Sequence, residues 1–222
     1  EGWGAAGKGT LIGNLIKELD PRFFQVVKMQ KANEDEKRKP FLWRYMEKIP
    51  EAGKFVFLDS GWLDETVDDV IHDKIDDVAL EKRLRQIRTF ERQLKDNGYL
   101  VVKLFLQIPP KEQKHRLDKL LENKDTSWRV DEDDILQVKK REKFEKIYDR
   151  ILEATNTGYV PWNIVDAVDE KQALLQVLHL LTNQINQAVE NFKILPEILH
   201  KDYPLLKMPK LAEVPLDQEM SK

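Results

Sequence analysis

The chain opens on glycines spaced around a lysine, Gly2-Trp3-Gly4-Ala5-Ala6-Gly7-Lys8-Gly9-Thr10, and passes directly into a helical pattern. No other stretch limits the fold so strongly. Spaced glycines let consecutive backbone N–H groups turn toward one point, and the helix N-terminus behind them adds partial positive charge. Together these form a cradle for phosphate oxygens. The spacing is that of G-x4-G-K-[ST] with one departure. Gly9 stands where a magnesium-binding hydroxyl is usual, and Thr10 comes one residue later. Lys8 supplies a mobile charge able to follow a phosphoryl group, which makes it the first candidate catalytic residue. Gly2, Gly7, Gly9 and Thr10 are the candidate phosphate-binding positions of the loop. The plain alternative is a glycine turn that happens to precede a helix. A phosphate loop follows a buried strand, so a hydrophobic strand is expected ahead of Glu1 in a longer parent chain.

The rest of the chain alternates apolar runs with amphipathic segments. Strands are predicted at Phe24–Lys28, Lys54–Leu58, Tyr99–Leu106 and Trp162–Val165. Helical spacing is predicted over Lys8–Leu19, Pro40–Lys48, Asp76–Asn97, Pro110–Asn123, Glu132–Ala154 and Lys171–Asn191. Continuous apolar strands joined by helices argue for a parallel α/β sheet covered on both faces. Four of the ten prolines, Pro196, Pro204, Pro209 and Pro215, fall after Asn191. The expected organisation is one domain over residues 1–192 and an extended linker or tail over 193–222.

Composition removes several function classes. The chain has no Cys, which excludes disulfide scaffolds, Cys-ligated zinc and Cys nucleophiles and fits a reducing, cytoplasmic setting. No apolar run is long enough to span a bilayer, so no membrane partner is expected. The 37 Lys and Arg against 40 Asp and Glu leave a net charge of −3, a weak start for a nucleic-acid binder. A local basic groove for a phosphorylated ligand is compatible with that balance.

Acidic and basic candidates follow from position. Asp59 ends the second apolar run, where a carboxylate can hold magnesium beside a phosphate loop; it equally suits an N-cap of the next helix. Lys28, Lys31, Lys37, Lys39 and Arg44 follow strand ends, where ligands gather in open α/β sheets. They read either as a polyanion track or as a solvated surface run balanced by Glu34, Asp35 and Glu36. Lys114, His115, Arg116, Lys119, Lys124 and Arg129 read either as a basic lid or as a charged amphipathic helix. Arg116 and Arg129 are the candidate phosphate-binding residues of this group, with Lys28 and Lys39 from the first. Lys8, Asp59 and Arg44 are the candidate catalytic set, with Asp59 the metal ligand.

Several motifs in register carry a family resemblance: Glu1–Gly9, Lys39-Pro40-Phe41-Leu42-Trp43-Arg44, Asp59 with Trp62, Phe90-Glu91-Arg92-Gln93-Leu94, and Pro161-Trp162. Over most of residues 1–190 the chain resembles the polyphosphate kinase 2 family, and most of all the N-terminal half of two-domain polyphosphate:AMP phosphotransferases. The resemblance implies a P-loop kinase-like three-layer sandwich with a central parallel sheet and a helical lid. It implies magnesium-dependent phosphoryl transfer between inorganic polyphosphate and a nucleoside mono- or diphosphate. It also implies a homo-oligomer and a second domain of the same family in the parent protein. The family loop reads G-x-D-x-A-G-K-G, and Gly4 stands at its Asp. The family's D-R-S-W-Y-x-R appears as Asp59-Ser60-Gly61-Trp62-Leu63-Asp64-Glu65, with both arginines replaced and one charge reversed. Two alternatives stay open on these departures: a non-catalytic polyphosphate-binding module supporting an active second half, and an ATP-dependent nucleoside monophosphate kinase.

Overall fold

Short parallel strands frame the molecule in two pairs. In the computed structural model, which describes residues 1–192 together with 207, 208 and 210, β1 (Phe24–Lys28) lies parallel to β2 (Phe55–Asp59). Their register sets Phe24 opposite Phe55 and Lys28 opposite Asp59. β3 (Lys103–Gln107) lies parallel to β4 (Trp162–Asp166), with Lys103 opposite Trp162. The first three residues connect the pairs. The Glu1 ammonium donates to Leu104 O at 2.9 Å, Leu106 N–H donates to Glu1 O at 3.0 Å, and Gly2 bridges Leu106 in parallel. The Glu1 carboxylate reaches the other way and accepts from the N–H groups of Gly61 (2.9 Å) and Leu63 (3.3 Å), just beyond β2. A Cβ on Gly2 would meet Leu106 O at 2.5 Å, so only glycine allows this approach. The parallel α/β class is as the sequence indicates, with the expected sheet present as two pairs linked by Glu1–Trp3.

Helices cover the strands. α1 (Lys8–Leu15) continues only as a 3-10 turn over Ile16–Glu18, shortening the predicted Lys8–Leu19 helix. α2 (Glu34–Lys37) carries an Asn33–Glu36 capping box, and α3 is confined to Trp43–Met46 within the predicted Pro40–Lys48 segment. α4 (Trp62–Ile71) has no counterpart in the sequence reading, although Leu63, Val67 and Ile71 recur at four-residue steps and are all buried. α5 (Asp77–Asp96) is as expected, capped by Asp76 and burying Leu80, Leu84, Ile87 and Phe90 along one face. The N–H of Tyr99 still bonds Leu94 O at the end of α5, and β3 begins only at Lys103, shortening the predicted Tyr99–Leu106 strand.

α6 (Pro110–Glu122) matches its prediction, with proline at the first position. The predicted Glu132–Ala154 helix is two: α7 (Glu132–Lys139) and α8 (Arg141–Thr155), broken at Lys140 (φ −118°, ψ 33°). The break lets Arg141 turn inward and donate to Ile108 O at 2.8 Å and Gln113 Oε1 at 2.6 Å, pinning the start of α8. α9 (Glu170–Phe192) closes the described domain. The predicted linker at 193–222 lies outside the described residues, apart from 207, 208 and 210. One core joins these layers: Trp3, Leu63, Leu84, Ile87, Phe105, Tyr148, Ile151 and Val177 are almost wholly buried in it.

Candidate functional site

The glycine loop opens one wall of a cleft of about 1570 Å³. The ends of β1 and β2, helices α3 and α4, and the α6–α7 segment form the other walls. Trp3 anchors the loop. It is fully buried, its indole N–H donates to Gln107 Oε1 at 2.5 Å, Tyr148 meets it edge-on at 4.9 Å, and the Arg141 guanidinium lies 3.2 Å over its ring. Burial pushes Arg141 down to about 10, against the pull of Glu145, and the tryptophan face favours the charged guanidinium. From this anchor the chain passes through Ala5 (φ 59°) and Gly7 (φ 93°), both left-handed, and enters α1 at Lys8. Alanine in that region is strained; Gly7 takes it freely.

Lys8 lies inside the loop, its Nζ donating to Gly2 O at 2.9 Å and Trp3 O at 3.3 Å. Asp59 ends β2 facing α1, with its Oδ2 4.0 Å from the place a Cβ on Gly9 would take. Among the described residues the Asp59 carboxylate makes no ion pair. Ser60 follows at φ 64°, so the chain leaves β2 through a strained turn into α4.

The predicted cations reach the same cleft on different terms. Lys28 ends β1 beside Asp59 and is exposed. Lys39 is exposed and its ammonium rests 3.2 Å over the Trp43 ring. Arg129 sits on the lid side with its guanidinium over Trp128, an indole 75% exposed. Arg116 is engaged throughout: it donates to Ala5 O and Ala6 O (both 3.4 Å), Ala167 O (2.9 Å), Val168 O (2.8 Å) and Glu112 (2.6 Å). It grips the carbonyl side of the loop. Arg44 is buried, donates to Gln30 O and pairs with Glu65 at 3.6 Å and Glu36 at 3.9 Å. Glu65 also accepts from the Tyr45 hydroxyl at 2.5 Å; burial pushes its carboxyl up, against the pull of Tyr45 and Arg44.

Thus Gly7, Lys8, Gly9, Thr10, Lys28, Lys39, Arg44, Asp59, Arg116 and Arg129 all border one cleft. Gly2 does not; it is spent on the close approach to β3. Trp3, Arg141, Asp134 and Gln137 were missed in the sequence. Gln137 Oε1 accepts from Gly4 N–H at 2.8 Å, and the Asp134 carboxylate fills the space beside Gly4 where a Cβ would collide with it. Burial first, then Asp131, pushes Asp134 up, while Lys8 and Lys28 pull it down. Nothing in the local sequence links positions 4 and 134. Further along the wall Asp68, His72 and Asp133 approach one another, but Lys74 and Lys31 already pair with the two carboxylates.

A phosphate-type loop before α1, a strand-end carboxylate and a basic lid define the P-loop kinase-like class. The polyphosphate kinase 2 family model matches residues 1–193, and the chain belongs to that family. It is 29% identical over 85% of its length to a polyphosphate:AMP phosphotransferase of Pseudomonas syringae pv. tomato, of which it spans 38%. It is 28% identical over 91% of its length to an ADP-polyphosphate phosphotransferase of Pseudomonas aeruginosa, of which it spans 68%. The crystal structure of polyphosphate kinase 2 from Arthrobacter aurescens TC1 superposes with a TM-score of 0.80 at 26% identity, covering 96% of this chain and 71% of that one.

Proposed function

We propose that the cleft binds inorganic polyphosphate and a nucleoside mono- or diphosphate and moves a phosphoryl group between them. One observation carries this reading: the glycine loop with Lys8, the uncommitted carboxylate of Asp59, and the cations Lys28, Lys39 and Arg129 converge on a single cleft from separate parts of the chain. The names of the relatives, phosphotransferases acting on polyphosphate with AMP or ADP, support it.

The chemistry needs positioning and charge more than covalent help. A terminal phosphate oxygen of the acceptor bonds to the phosphorus at the end of the donor chain as the bridging P–O bond breaks. The donor leaves one phosphate shorter and the nucleotide one longer. The attacking oxygen is already anionic, so no strong general base is required. Lys8, released from the Gly2 and Trp3 carbonyls, follows the phosphoryl group. Inward N–H groups of Gly7, Gly9 and Thr10 take phosphate oxygens, and Lys28, Lys39 and Arg129 hold neighbouring phosphates. Asp59, an oxygen ligand facing the loop, is the residue that would hold magnesium. Magnesium held there would supply neutralisation of phosphate charge. Among the described residues no helix is long and apolar enough to cross a membrane. A cytoplasmic setting, a homo-oligomer and a second domain of the same family belong to this proposal.

The test is transfer by the purified chain from polyphosphate to AMP, ADP or GDP with magnesium, read by nucleotide chromatography, with ATP as a competing donor. Lys8→Ala should lower the rate about a hundredfold or more. Transfer in no pairing, together with failure to retain polyphosphate at low salt, would refute the reading. A second reading, a polyphosphate-binding module supporting an active partner half, is favoured by the Arg44–Glu65 pair, which neutralises the catalytic arginine candidate. It requires retained polyphosphate without transfer, and near-normal turnover of a full-length protein carrying Lys8→Ala.

A further inference from the structure

Part of the phosphate loop is already engaged from within. Gly4 N–H is taken by Gln137 Oε1 at 2.8 Å, and that side-chain amide is oriented by Gln113 Nε2 at 3.1 Å. The Asp134 carboxylate fills the space beside Gly4 and faces the charges of Lys8 and Lys28. Lys8 is folded onto the Gly2 and Trp3 carbonyls. One residue earlier on the same helix, Asp133 pairs with Lys31 at 2.8 Å and approaches His72 Nε2 at 3.5 Å. Asp131, Glu132, Asp133 and Asp134 form the cap and acidic first turn of α7. That turn therefore sets carboxylates against cations at the loop and the end of β1.

We propose that the acidic first turn of α7 is an internal stand-in for the polyanion, docked at Gly4, and that an incoming phosphate chain must displace it. The proposal rests on the reading that this loop takes a polyanion. Carboxylate and phosphate oxygens compete for the same positive field, and two anions a few ångströms apart in a partly buried cleft repel strongly. Glycine at position 4 is the steric condition for docking, since any side chain there meets Asp134. The helix break at Lys140 separates α7 from the pinned start of α8, so α7 can lift while α8 stays in place.

The experiment compares wild type, Asp134→Asn and Gly4→Ala. Asp134→Asn keeps the shape and the acceptor for Asp131 N–H but removes the charge; Gly4→Ala forces the carboxylate out. Amide hydrogen exchange over residues 131–139 without ligand reads the docking itself, and both variants should exchange about tenfold faster there. Binding of inorganic polyphosphate of fixed length, by calorimetry in low salt without metal, reads the competition. Asp134→Asn should bind about five- to tenfold tighter than wild type. Unchanged exchange in both variants overturns the docking. Binding by wild type with no gain in Asp134→Asn, or with a loss, overturns the competition alone. Binding by neither form overturns the polyanion reading of the loop and the competition with it.

Discussion

Replacing Lys103 by Met should destabilise the fold by about 3–5 kcal/mol, the cost of leaving one member of a buried ion pair alone. Glu91 is wholly buried and Lys103 is 4% exposed. Lys103 Nζ lies 2.7 Å from Glu91 Oε2 and 2.7 Å from Thr155 O, and 4.8 Å from the Trp162 ring centre. Without the ammonium, Glu91 keeps the Trp62 indole N–H at 3.0 Å and the more distant charge of Arg88, and Thr155 O loses the Lys103 donor. Domains of this kind have a total stability of about 5–15 kcal/mol, so the loss is large but measurable. Urea unfolding at pH 7 should show a lower midpoint with an unchanged slope.

The pH dependence fixes the cause. Burial pushes the Glu91 carboxyl up, and removing the ammonium leaves that push less opposed. A carboxyl whose folded pKa exceeds its unfolded one stabilises the fold most below the unfolded value, and loses that contribution as pH rises through the folded value. The deficit of Lys103→Met should therefore shrink as the pH is lowered toward 4.5. Adding Glu91→Gln, which keeps an acceptor for Trp62, should recover more than half of the loss at pH 7. A single-variant loss under about 1 kcal/mol, or a deficit that grows on acidification, would refute this reasoning.

Two further predictions concern the frame of the loop. Burial, with Asp64 beside it, pushes Glu1 up to about 7, so its stabilising contribution is present below about 4.5 and lost as pH rises through 7. Between pH 4.5 and 8 wild type should lose up to about 3 kcal/mol more than Glu1→Gln in urea unfolding, and parallel curves would remove Glu1 as the cause. Arg116→Met should free the Ala5 and Ala6 carbonyls, speed exchange of the loop amides and weaken polyphosphate binding about tenfold, with Arg116→Lys giving little rescue because one ammonium cannot span four carbonyls. Full binding by either variant would mean that the grip on the loop does not shape the cradle.

How far the fold could be read in advance depended on how local each signal was. Phe24–Lys28 and Asp76–Asn97 were clear because an apolar run or a repeating face reports on its own neighbours. α4 was missed although Leu63, Val67 and Ile71 mark its face, because four acidic residues in ten obscure it. The break at Lys140 was hidden because both halves keep helical spacing across it. Its cause is the inward turn of Arg141 toward Ile108 and Gln113, about thirty positions upstream in the chain.

The site divides along the same line. By itself the sequence pointed to a tight turn into a helix over Gly2–Thr10, to Asp59 at a strand end, and to cations near strand ends and between Lys114 and Arg129 that read equally as surface charge. Those are consequences of backbone freedom and of spacing within a few residues. Only the tertiary structure decided which charges remain available. It commits Arg44 to Glu65 and Arg116 to the loop carbonyls, spends Gly2 on β3, and brings Asp134 into the space at Gly4. The reason is physical: a side chain's charge is set by its own chemistry, but its partner is set by whichever distant segment packing places within hydrogen-bond reach.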